Sequence, residues 1–459
     1  MTGRRGRTRR AIGSLAAWAV SLSITMTSGF AADGLQAGAA ARVLEATDDL
    51  VIGGGIGPGK ASGQEGELRA SAIVIRAADG TKACLVACDV LMLERDVLDP
   101  AARAIEARTG IPFDHILINC THTHHAPTTV TVHGYNREEA FSKQVGKKVE
   151  EAAVAANDRL APATLKFRRG EESSVGKNSR LLLADGSIYW VGSMADAVRP
   201  TGPFDTDLPV LAFVRPDGKL EGTLFNHSTH TIGTVKPGVR SPSFYGLAAQ
   251  ELEKERGGTF AFFEGASGST HNLDLKIPEA IFRIKAAVAE ALDRAAPRPV
   301  PTIRAKRAEV TLKYRTYDEA AEDAKVVAYC TKRQPAPYHE ATIAVFRNSR
   351  KVLSPKQGRD RKTWVQAVVL GDIALVGIPA EFFTTLGQEI KRRSPYRDTF
   401  VFELANDYVG YVPDAPAFDK GGYQTWTGLH SFVARDSGEI LVDAAVGLLG
   451  ELQPPSRDR

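Results

Sequence analysis

The 459-residue chain has 58 Lys and Arg against 54 Asp and Glu, a formal net charge of +4, with 43% hydrophobic and 24% charged residues. This is ordinary globular material, long enough for one large core or two modest ones. Arg4, Arg5, Arg7, Arg9 and Arg10 carry more than the whole positive excess, and no basic stripe interleaved with aromatics follows them, which excludes nucleic acid as a partner.

Those arginines precede an uncharged, mainly apolar segment, Ala11 to Ala32, that gives way to Asp33. A basic start, a short apolar stretch broken by Ser and Thr, and the small residues of Gly29-Phe30-Ala31-Ala32 read as an export signal over residues 1–32, cleaved near Ala31 or Ala32. The expected destination is the periplasm or the exterior, and Thr8-Arg9-Arg10-Ala11-Ile12 suits a twin-arginine route. A retained N-terminal membrane anchor is the competing reading, since about 20 residues suffice to span a bilayer.

Next comes glycine-rich sequence, Gly53 to Ala61, which falls short of a phosphate-binding loop because Ala61 stands where Ser or Thr must hold magnesium, so it reads as a flexible loop. Strand patterns over Leu68 to Arg76 and Lys82 to Leu91 flank the turn Asp79-Gly80 and predict a hairpin. A helix over Val97 to Thr109 and a strand over Ile116 to Asn119 follow. Further helices are expected at Ala140–Leu160, Tyr245–Glu255, Ala280–Ala296, Pro379–Lys391 and Gly438–Leu452. Strands are expected at Ala163–Arg168, Val210–Arg215, Gly222–Asn226, Thr259–Phe263, Ala305–Tyr314, Val365–Leu370, Ile373–Gly377 and Thr399–Glu403. The pattern predicts an α/β fold: a single large domain over 33–453, with a mixed, twisted β-sheet core flanked by helices, and a disordered tail at 454–459. Cys84, Cys88, Cys120 and Cys330 match no zinc–thiolate spacing, and Cys84 and Cys88 lie roughly 13 Å apart if their strand is extended, too far to pair.

The chemistry concentrates in loops after strands. The first is Thr121-His122-Thr123-His124-His125. If strand geometry persists there, His122 and His124 point the same way roughly 6 to 7 Å apart, so one would bind metal and the other face a substrate. The others are Asn226-His227-Ser228-Thr229-His230, Glu264 to Asn272, Pro379-Ala380-Glu381-Phe382 and Asn406-Asp407-Tyr408-Val409-Gly410-Tyr411. His227 reads as a satisfied structural histidine, and Asp89 as a group that orients a ligand histidine or caps a loop.

In this order, Asn119-x-Thr121-His122-Thr123-His124, Asn226-x-x-x-His230, Gly265-Ala266-x-Gly268, Pro379-Ala380-Glu381-Phe382 and Asn406-Asp407-Tyr408-x-Gly410-Tyr411-Val412, the chain resembles the catalytic domain of the neutral/alkaline ceramidases from about Ile52 to about Trp426. The resemblance implies one zinc per chain held by His122, His230, Glu381 and Tyr411. It gives His124 substrate contact and proton transfer, makes Tyr423 and Arg180 substrate contacts, and sets Ser269 and His271 in the stretch where the family carries a substrate-contacting serine. It leaves out the immunoglobulin-like C-terminal domain of full ceramidases. Physical chemistry favours the same set: two imidazoles and a carboxylate leave zinc about one positive charge, enough to acidify bound water and polarise a carbonyl. A tyrosine can steady the oxyanion, and His124 can protonate the leaving amine.

Three departures bear on substrate: His125-Ala126-Pro127 after the histidines, Val412-Pro413-Asp414 after Tyr411, and the Gly268 loop. The expected activity is therefore zinc-dependent hydrolysis of an N-acyl amide, ceramide or a related lipid, with room for transient contact with a membrane surface and no oligomeric state implied. A non-catalytic envelope binding protein on the same fold is the alternative.

Overall fold

The computed structural model describes residues 34–453. The expected export signal and the tail at 454–459 lie outside the described residues. Among those described, no helix is long and apolar enough to cross a membrane.

Three sheets carry the mixed α/β fold. The first orders Ile116–Cys120, Lys82–Cys88, Arg69–Arg76, Gln36–Val43 and Ala161–Pro162. The second orders Thr259–Glu264, Leu220–His227, Asp207–Val214, Thr164–Glu171 and Ala296–Pro297, and the third Ile303–Lys313, Asp360–Leu370, Ile373–Gly377 and Asp398–Phe402. Side-chain alternation sorts their faces. On Arg69–Arg76, Ala70, Ala72 and Val74 pack towards the helices Arg95–Thr109 and Glu139–Asp158, while Ile73 and Ile75 enter a core shared with Leu211 and Phe213 of the second sheet and Val368 and Phe400 of the third. The expected hairpin forms, with Gly80 at a φ of +87° in its turn.

Each sheet contains one parallel pair: Lys82–Cys88 with Ile116–Cys120, Leu220–His227 with Thr259–Glu264, and Ile373–Gly377 with Asp398–Phe402. Parallel neighbours end at the same edge of a sheet, and ligands bind in the crevice beyond such carboxyl ends. Here those ends are tied across sheets by a buried asparagine. Asn119 accepts from the Glu264 N–H at 3.0 Å and donates to the Glu403 carbonyl, so one amide joins all three sheets where the five chemistry-bearing loops leave them.

Several expectations are corrected. The strand Gln36–Val43 and the helices Glu319–Arg333 and Tyr338–Leu353 are additional. The helix expected from Pro379 begins at Thr384, because Glu381–Phe382 pairs in parallel with Tyr411–Val412 instead. All four cysteines are free and buried.

Candidate metal centre

Beyond Cys120 the backbone leaves the strand, and His122 adopts a φ of +60°. This left-handed conformation costs roughly 1–2 kcal/mol for a residue with a Cβ, and it breaks the strand alternation on which the expected separation rested. The imidazoles of His122 and His124 are therefore not 6 to 7 Å apart: their Nε2 atoms approach to 3.3 Å.

Backbone carbonyls fix the rings. His122 Nδ1 meets the Leu91 carbonyl at 2.9 Å, His124 Nδ1 that of Gly54 at 3.0 Å, and His230 Nδ1 that of Ser267 at 2.9 Å. A carbonyl only accepts, so each Nδ1 carries the hydrogen and each Nε2 presents a lone pair. These three ligand atoms lie within 4.8 Å of one another, and the cluster can hold a metal ion. Glu381 joins them, its Oε2 3.5 Å from both His122 Nε2 and His230 Nε2. Donors about 2.0–2.1 Å from a tetrahedral zinc stand roughly 3.3–3.4 Å apart, so the two imidazole–carboxylate separations at Glu381 approach that spacing, and nitrogen and carboxylate donors suit the ion in kind. The Tyr411 hydroxyl reaches His230 Nε2 at 2.9 Å, and Tyr408 donates to Glu381 Oε1 at 3.0 Å. Glu381 and Tyr411 face each other in register on their two short strands, which is how residues 30 positions apart arrive together.

Burial opposes ionisation of Glu381, yet the neighbouring His122 and His230 side chains hold its carboxyl well below the ordinary range. Burial, and after it the neighbouring imidazoles of His122 and His230, pushes His124 far down. Behind the ligands, the Glu403 carboxylate accepts from the backbone N–H groups of Phe382 at 2.7 Å and Ser267 at 2.9 Å, gripping the neighbours of two ligand contacts at once.

His124, His230 and Tyr411 line a cavity of about 410 Å³, while His122 and Glu381 lie beneath it. A compartment of about 20 Å³, the room of about one water, lies between His122, His124, Glu381, Tyr408 and Tyr411. Tyr423 lines the main cavity, and His271 does too, its Nδ1 accepting from the Leu273 N–H at 2.7 Å beside the His230 ring. Two expected substrate contacts are corrected. The Ser269 hydroxyl turns away to Thr384, donating to its Oγ1 at 3.1 Å, and Ser179 and Thr270 line the cavity instead. Arg180 is 2% exposed and donates to Gln424 Oε1 at 2.8 Å and the Gly421 carbonyl at 2.6 Å, so it braces the loop that carries Tyr423 rather than facing substrate.

Of the two readings of Asp89 the loop cap holds: it accepts from Arg69 N–H at 2.9 Å and Thr121 Oγ1 at 3.1 Å, and no histidine reaches it. His227 is structural as expected, bonded to Tyr245 and to the Glu172 carbonyl. The glycine-rich segment is no free loop. Gly54, at a φ of +109°, supplies the carbonyl for His124, and a Cβ there would lie 2.7 Å from that ring. Gly268 is needed for the same reason, since a Cβ would meet the Glu381 carbonyl oxygen at 2.4 Å. His133 and His430, which no motif marked, bracket Tyr423: His133 Nε2 meets its hydroxyl at 3.0 Å, and His430 Nε2 its carbonyl at 3.0 Å.

Among solved structures, the chain matches the neutral ceramidase from Pseudomonas aeruginosa with a TM-score of 0.70 at 17% identity, over 93% of this chain and 76% of that one. A ceramidase complexed with C2 matches with a TM-score of 0.70 at 18% identity, over 93% of this chain and 77% of that one. The chain thus has the neutral ceramidase fold. Neither a family model nor a curated protein sequence matches it.

Proposed function

We propose that this protein is a zinc-dependent amide hydrolase that cleaves an N-acyl bond with activated water, as the ceramidases that share its fold act on an N-acyl lipid. The observation that carries the reading is the convergence of the His122 and His230 Nε2 lone pairs on the Glu381 carboxylate, 3.5 Å from each, with His124 beside them, on the floor of a cavity. His122, His230 and Glu381 would hold the ion, with Tyr411 beside them. Zinc so held supplies Lewis acidity, polarising a carbonyl and acidifying water.

The chain's own residues do the rest. His124, which lines both the cavity and the small compartment, takes the proton from the attacking water and returns it to the leaving nitrogen, because an amide anion is too poor a leaving group. The Tyr411 hydroxyl donates to the developing oxyanion. Since His271 Nδ1 accepts, its neutral ring carries the proton on Nε2 and can donate to the substrate. Tyr423, its hydroxyl held by His133, orients the acyl group. Export is part of the proposal and rests on the N-terminal sequence alone; N-terminal sequencing of the mature protein tests it.

The deciding experiment assays zinc-loaded protein against neutral N-acyl amides, N-acyl amino acids and peptides. Release of free amine from the N-acyl amides, abolished by His124→Ala with zinc retained, is expected. No cleavage across the panel, or full activity in that variant, would overturn the reading.

A further inference from the structure

Building on the amide-hydrolase reading, we infer that the substrate is a compact, uncharged N-acyl amide rather than a lipid with two long chains, and that Trp190 sets the length admitted. The argument begins with space. The cavity above the donors holds about 410 Å³, near the small end of the roughly 300–1,000 Å³ of pockets that take drug-sized ligands. The amide and its immediate substituents take part of that space, and two long alkyl chains exceed the remainder.

The end wall is firmly built. Trp190 lies on the loop between the paired strands Leu181–Leu183 and Ala197–Pro200, flat against Tyr423 with centroids 4.5 Å apart and planes within 3°, and edge-on to Trp426 at 5.5 Å. Its backbone N–H donates to the Tyr329 hydroxyl at 2.7 Å. Arg333 pins both ends of the loop, bonding Asp185 at 3.1 Å and Asp196 at 2.9 Å. The helix Glu319–Arg333, which carries Tyr329 and Arg333, backs this wall.

Behind that wall lies a second cavity of about 690 Å³, bordered by Tyr329, Trp426 and Gly422. Trp190 and Tyr423 border the first, and Trp190 packs on Tyr329 and Trp426. The indole, backed by Tyr329 and Trp426, therefore stands between the two spaces. Charge narrows the class further: no Lys or Arg lines the first cavity, Arg180 being turned into the protein, and Asp274 is its one carboxylate. Apart from the metal proposed at the floor, a substrate carboxylate or phosphate finds no cationic side chain of Lys or Arg there.

The test measures kcat/KM of the zinc-loaded full chain on uncharged N-acyl amides graded from acetyl to stearoyl, on matched N-acyl amino acids, and on a long-chain ceramide in detergent micelles. Short uncharged amides are expected to exceed the ceramide and the N-acyl amino acids by at least about tenfold, in keeping with the sensitivity of apolar pockets to single methylenes. Trp190→Ala enlarges the first cavity towards the second and raises the long-to-short ratio by about tenfold, whereas Trp190→Phe keeps the wild-type preference. A ceramide as best substrate, or a ratio unmoved by Trp190→Ala, overturns the inference. If no amide is cleaved, the hydrolase reading falls, and calorimetric titration with the same amides still decides the size limit: binding that fades with chain length supports it, and equal affinity across the series overturns it.

Discussion

At the cavity floor each imidazole is set by one backbone carbonyl, whereas at the wall Trp190 and Tyr423 are set by rings packed on rings. The floor draws on loops at the carboxyl ends of three parallel strand pairs, joined by Asn119. The wall draws on a hairpin and a helix that lie outside those pairs. A floor fixed by hydrogen bonds orients lone pairs to within tenths of an ångström, as a metal requires. A wall fixed by dispersion and ion pairs defines a volume, and volume selects substrates by size. Chemistry and selectivity should therefore respond to different substitutions.

The largest expected effect breaks the floor. Glu381→Gln removes the anionic donor shared by His122 and His230, and should lower kcat by on the order of a thousandfold, about 4 kcal/mol of barrier, together with metal content. Activity within tenfold of wild type would contradict the assignment. Gly54→Ala is the next: the added Cβ presses the His124 ring from 2.7 Å at a strained φ of +109°. A displacement near 1 Å costs up to about a hundredfold in kcat, with zinc stoichiometry unchanged, and paired kinetics and metal analysis check the split.

Between floor and wall stands His430, 1% exposed and pushed down to about 4, chiefly by burial. The unfolded chain takes up this proton near 6.5 while the folded chain refuses it until about 4, so stability is lost as pH falls through that window, on the order of 3 kcal/mol. Melting curves from pH 7 to 4 should show a shallower decline for His430→Gln, and parallel declines would exclude this source. The smallest effect sharpens the comparison by absence. Ser269→Ala loses its bonds with Thr384, costs about 1 kcal/mol of stability, and leaves KM within about twofold; a tenfold rise would return Ser269 to the substrate.

The floor was largely legible in the sequence because its residues occupy short motifs directly after strands, where alternation and loop position constrain them. What failed there failed locally. The positive φ of His122 overrode strand geometry, and Glu381 fell to strand pairing with Tyr411 rather than to the helix its neighbours favour. The wall was nearly illegible. Trp190 belongs to no spacing pattern, and its place depends on Tyr329 and Arg333, more than 130 residues away, on a helix the hydrophobic pattern did not reveal. Arg180 and Ser269 show the same limit: a motif carries residue type, while the direction of a side chain depends on partners elsewhere, here Gln424 and Thr384.

Zinc K-edge absorption on the purified full chain, with metal quantified on the same sample, tests the central claim most directly. The account predicts one zinc per chain with nitrogen and oxygen neighbours at about 2.0–2.1 Å and an imidazole signature that weakens in His122→Ala and His230→Ala. A protein that retains no zinc after loading and dialysis, or whose zinc environment is unchanged in both variants, would contradict it.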